Sequence, residues 1–166
     1  EWVNYLMGAP NGPKSNPNVK GLGIPVDMAL AFHTDAGTTP DSTIIGTLMI
    51  YDTTFGSDAF ANGQSRWSSR DLADIVQTQV VDDLQKLYFP QWTRRPMWNK
   101  QYSEAARPKV PTVLSELLSH QNFADMALAT WAPALSVTLM LVLETPAVAS
   151  VAAPVTFTAW LLPVAL

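Results

Sequence analysis

Charge in this chain stops abruptly at residue 130. Of its 24 charged side chains, 23 lie within residues 1–130, and residues 131–166 carry only Glu144. A folded unit needs solvated faces, and only the first part has the residues to make them. Two pieces are therefore expected within 166 residues, the length of one domain plus an appendage. The first is a domain over 1–130, and the second is an apolar, β-like segment over 131–166. In that segment Leu135, Val137, Leu139, Leu141 and Leu143 recur with a period of two. Pro133, Pro146, Pro154 and Pro163 cut it into runs of at most 12 residues. A membrane-spanning helix needs roughly 18–20, so none is expected. No Gly, Asn, Asp, Lys or Arg follows residue 130, which leaves such strands without ordinary turn chemistry or edge protection. A β-sandwich module whose other strands lie elsewhere, or a surface that invites a protein partner, would account for this.

Composition narrows the chemistry of the first piece. With 48% hydrophobic and 14% charged residues the chain is too apolar for intrinsic disorder, and a net charge of −4 argues against a nucleic-acid partner. The absence of cysteine excludes disulfides, thiolate zinc sites and cysteine nucleophiles. His33 and His120 are the only histidines, few for a self-contained metal site. The opening residues, Glu1-Trp2-Val3-Asn4, lack the basic and apolar regions of a secretory signal, so none is expected in this stretch.

Periodicity gives an outline. Residues 8–25 are rich in Pro, Gly and Asn and read as a long loop. Residues 26–32 read as a strand covered on both faces, which runs into a polar loop opened by His33. A second strand is expected over 43–51. The clearest helix follows, with Ser68 or Ser69 as cap and Leu72, Ile75, Val76, Val80, Leu84 and Leu87 on one side, before Pro90. Asp74, Gln77, Asp82, Asp83 and Lys86 are expected on its solvated side. Residues 90–111 mix aromatics, prolines and arginines, a composition of packing more than of sugar stacking. A strand over 112–118 and a helix over 122–130 complete an α/β unit, a mixed sheet flanked by helices.

Two residues stand out chemically. His33 lies at the carboxyl end of a strand, where functional groups collect in open α/β sheets. Glu116 interrupts Val113-Leu114-Ser115 and Leu117-Leu118, and a carboxylate there is costly to bury unless paired, protonated or beside a metal. Plainer accounts are a histidine satisfied by backbone, and a glutamate paired with Arg94, Arg95 or Arg107. Together, an imidazole and a carboxylate are the minimum equipment of a zinc hydrolase. Gly-x-Ser-x-Gly, phosphate-loop, His-Glu-x-x-His and EF-hand patterns are all missing.

The same residues carry a resemblance. Ala31-Phe32-His33-Thr34-Asp35-Ala36, followed by Ile45-Gly46-Thr47-Leu48-Met49-Ile50-Tyr51, resembles the histidine block of zinc-dependent N-acetylmuramoyl-L-alanine amidases of the type 3 family. Val110-Pro111-Thr112-Val113-Leu114-Ser115-Glu116, continuing to Asn122 and Asp125, is similar to that family's catalytic-glutamate block, with the long helix between the two. The wording around residues 23–33 looks closest to a divergent Bacteroidota branch often labelled xanthan lyase or golvesin-like. The likeness spans roughly residues 20–130.

It implies an amidase-like fold, His33 as the last of three zinc ligands, and Glu116 as the carboxylate that activates water. It further implies cleavage of the amide joining muramic acid to L-alanine in peptidoglycan or a related glycopeptide, in the periplasm, at the outer-membrane surface or outside the cell. The family's first two ligands have no counterpart before His33, where the only acids are Glu1 and Asp27. The domain is thus expected either to be incomplete at its N-terminus or to have lost its metal. The second reading is a non-catalytic envelope scaffold that keeps the fold to bind glycan or protein.

Overall fold

The computed structural model describes residues 2–10 and 18–131. The expected β-like segment over 131–166 therefore lies outside the described residues, apart from the last helical residue. The chain runs α1 (Trp2–Leu6), β1 (Ala29–Asp35), β2 (Leu48–Tyr51), α2 (Trp67–Leu87), β3 (Trp98–Asn99), α3 (Ser103–Ala106), β4 (Thr112–Ser119) and α4 (Phe123–Trp131). The four strands form one mixed sheet in the order β1-β4-β2-β3. β1 is parallel to β4, β2 antiparallel to β4, and β3 parallel to β2. This is an α/β fold with helices against both faces of the sheet, as the sequence led one to expect.

Strand alternation sorts the core into two layers. Met49 and Val113 meet Ala73 of α2, with Leu30, Leu72 and Val76 around them. Leu48, Ile50 and Leu114 point the other way, against Ala105 of α3, with Ala31 beside them. α4 joins the α2 side, where Leu128 packs with Val81, Leu84, Trp92 and Leu117. β4 is buried along nearly its whole length, as its continuous apolar run predicts.

Helix α2 packs inward Leu72, Val76, Val80 and Leu84 of the face its aliphatic residues mark, but the centre of its buried side is shifted away from Ile75 and Leu87. Ser69, Ala73, Gln77, Val81 and Leu84 are buried, whereas Ile75 is 68% exposed. Ser69 does not cap the helix. Its hydroxyl accepts the backbone N–H of Thr112 at 3.1 Å, and Ser68 donates to Ser65 O. Small residues at 69 and 73 let the helix approach the sheet closely. Gln77, expected in solvent, is fully buried, where its amide meets backbone carbonyls. Its amide nitrogen donates to Thr47 O (3.0 Å) and Arg95 O (2.9 Å), and its oxygen accepts from Arg94 Nε (3.0 Å).

The second strand starts five residues later than its β-branched run suggests, and Gly46 is the reason. Its φ of +85° takes the chain out of the extended region, and a Cβ there would lie 2.1 Å from Thr93 O. The backbone N–H groups that leave the ladder are taken by Asp125, whose carboxylate accepts from Ile45 (2.8 Å), Gly46 (3.2 Å) and Ser119 (2.8 Å). Asn122 donates to Thr43 O and Thr39 Oγ1, tying the same loop to the start of α4.

The first strand differs at both ends. It starts at Ala29 and continues through His33 to Asp35, because β4 offers a ladder partner that far. It is not covered on both faces. β1 ends the sheet among the described residues, and Phe32 is 50% exposed.

Candidate functional site

His33 lies inside β1, not at the opening of a loop, and that placement builds the site. His33 of β1 and Glu116 of β4 are register partners in the parallel ladder. Neighbouring strands run about 4.8 Å apart, and residues in register send their side chains to the same face. Leu48 of β2 is the next partner of Glu116 across the sheet. The imidazole and the carboxylate therefore stand side by side on the α3 face, just beyond the cluster of Leu48, Ile50 and Leu114.

α3 closes the site from above. Its Glu104 places Oε2 2.7 Å from His33 Nε2, both side chains being partly open to solvent. Two residues along β1, past a bulge in the register, Asp35 pairs with Arg95 Nη1 at 2.7 Å and accepts the N–H of Ala36. The Arg95 guanidinium also lies 5.6 Å over the Trp98 ring. Three carboxylates, one imidazole and one guanidinium thus gather at the carboxyl ends of β1 and β4.

Glu116 is the strained member. It is half-buried, and its Oε2 has no hydrogen-bond partner. Burial pushes its carboxyl above the ordinary range, and the nearby Asp35 carboxylate adds to that. His33 and Arg95 pull in the opposite direction, and Glu104 raises it a little further. Two of the arginines considered as partners for Glu116 are engaged by other residues. Arg95 is taken by Asp35, and Arg94 by Asp74 and Thr78.

His120 does not join this group. Its Nδ1 lies 3.2 Å from Thr34 Oγ1, and Thr34 alternates to the opposite face from His33. Trp92, a candidate for stacking, is core: it is 1% exposed and donates from Nε1 to Thr47 Oγ1.

Among the described residues, no three His, Asp or Glu side chains are arranged to hold a metal ion. His33 has its Nε2 turned to Glu104, and Glu116 has one oxygen shut away from water. A catalytic zinc takes three protein ligands and an open position. The described residues do not supply that set.

Of the residues assembled here, His33 and Glu116 were marked by sequence. Asp35 carried a weak signal, two positions from His33 on the same strand. Glu104 carried none, because only the docking of α3 brings it to His33. No helix among the described residues is long and apolar enough to cross a membrane. Comparison with models of known families, with curated proteins and with solved structures found no match.

Proposed function

We propose that this α/β unit is a hydrolase domain of the N-acetylmuramoyl-L-alanine amidase type, acting on an amide bond in peptidoglycan or a related glycopeptide of the bacterial envelope. The observation that carries the reading is the register pairing of His33 with Glu116, one of whose oxygens is buried without a partner. Hydrolysis of an amide removes one proton from the attacking water and delivers one to the departing amine. A carboxylate whose proton is held more tightly than usual can take the first and give the second. Glu116 fills that role, and His33 contributes the imidazole beside it. On this reading zinc binds through His33 with further ligands that the described residues do not contain.

The test is release of stem peptide from purified peptidoglycan by the intact protein, together with its metal content. Release of stem peptide that is lost in Glu116→Gln supports the reading. No release by a folded, metal-replete protein overturns it.

One observation favours a second reading. With one histidine and one carboxylate of the expected set and no three-ligand group among the described residues, the fold serves equally as a non-catalytic envelope scaffold for glycan or protein. Binding of peptidoglycan without turnover, unaffected by Glu116→Gln, would select it. The apolar segment 131–166 would then be the natural contact for an envelope partner.

A further inference from the structure

We infer that Glu104 is a positioning residue for His33, which fixes the ring so that Nε2 carries the proton toward the carboxylate and Nδ1 is left as the working nitrogen. The ring geometry stands on its own; only the use made of Nδ1 rests on the hydrolase reading.

The two nitrogens of a neutral imidazole are distinct, and a carboxylate held against one decides which bears the proton. Here the carboxylate is Glu104, with Oε2 2.7 Å from His33 Nε2. Glu116, although in register with His33, leaves its Oε2 without any partner. The ring is thus turned toward the helix above it.

What makes this contact more than a surface pairing is how firmly α3 is anchored. Ala105 and Ala106, the next two residues, are 2% and 1% exposed, and Ala105 packs into the cluster of Leu48, Ile50 and Leu114. The helix is closed by N–H bonds from Ala105 and Ala106 to Tyr102 O, and from Arg107 to Ser103 O. Arg66 Nη1 donates to Ala106 O, and the Asn4 amide donates to Arg107 O at 2.9 Å. His33 is fixed from below by the β1–β4 ladder. Two backbones positioned by separate packing therefore hold the pair together, and a carboxylate that orients the imidazole is the usual complement of a working histidine.

The chain has two histidines, so His120→Ala isolates the His33 ring. Long-range nitrogen–proton correlation of the full chain, chelator-treated and at alkaline pH, reads the tautomer directly. The expected result is a single tautomer with the proton on Nε2. Glu104→Gln retains it through the amide oxygen, and Glu104→Ala turns it into a mixture, while the backbone amide signals of Ile50 and Leu114, which pack with Ala105, stay in place. A proton on Nδ1 in the wild-type ring, or an unchanged tautomer in Glu104→Ala, overturns the inference. Because the measurement needs no turnover, a protein with the expected tautomer and no hydrolysis defeats the hydrolase reading alone.

Discussion

Asp125 and Glu116 are both acids set among apolar neighbours, and the fold treats them in opposite ways. Asp125 is fully buried, and its oxygens accept backbone N–H groups from Ile45, Gly46 and Ser119. Glu116 is less buried, yet one of its oxygens has no partner at all. Burial depth is therefore a poor guide to what a carboxylate does. A charge whose lone pairs are taken by fixed backbone is structural; one buried beside a second carboxylate, with an oxygen left unpaired, holds its proton more tightly and is available for proton transfer.

The sharpest way to break the comparison is to neutralise each acid. Glu116→Gln should lower amide hydrolysis by about 10²- to 10⁴-fold, the usual range for loss of a general acid–base, with a melting temperature equal to or above wild type. An unchanged rate in an assay that detects wild-type turnover would place Glu116 with Asp125 among structural acids. Asp125→Ala should do the reverse. It strands three backbone donors, two of them buried, and denaturant unfolding should register a loss of about 3–5 kcal/mol. Gln77→Ala repeats the experiment with a neutral group. It takes the side-chain donor from Arg95 O and the acceptor from Arg94 Nε, while Thr47 O keeps the Arg95 N–H, and about 2 kcal/mol should go by the same measurement.

A weaker effect sharpens the comparison through pH. The Glu116 carboxyl is raised from its ordinary value of 4.5, so the folded state binds its proton more tightly than the unfolded chain does. Its contribution to stability is fully present below 4.5 and is lost as pH rises through the higher folded value. Stability curves of wild type and Glu116→Gln should diverge in that direction over that window. Asp41 behaves oppositely: hydrogen bonds from the Thr43 side chain and backbone hold its carboxyl below the ordinary range.

How much of this was legible in the sequence follows from where each signal resides. β4 and α4 were readable because the apolar run over 112–118 and the helical composition after it are local, and both elements are observed within a residue of those bounds. Glu116 was readable for the same reason, as one acid in a hydrophobic strand. The inward face of α2 was legible only in part: Leu72, Val76, Val80 and Leu84 do pack inward, whereas Ile75 and Leu87 do not, and the sheet required small residues at 69 and 73 and an amide at 77. The start of β2 was hidden because Gly46 turns away under a carboxylate that lies 79 residues further on. His33 was identified but placed at a loop, since the length of β1 depends on a partner strand 83 residues away in the chain. Glu104 was invisible, because its neighbours in sequence say nothing about which residue α3 will cover.

The central claim is that Glu116 holds its proton unusually tightly because the fold buries its carboxyl beside that of Asp35, with one oxygen left without a partner. Following the Glu116 side-chain carboxyl carbon by nuclear magnetic resonance through an acid titration tests it directly. The account predicts a midpoint above 4.5 that rises further in His33→Ala, since the imidazole pulls it down. A midpoint at or below 4.5, unmoved by removal of His33, would contradict it.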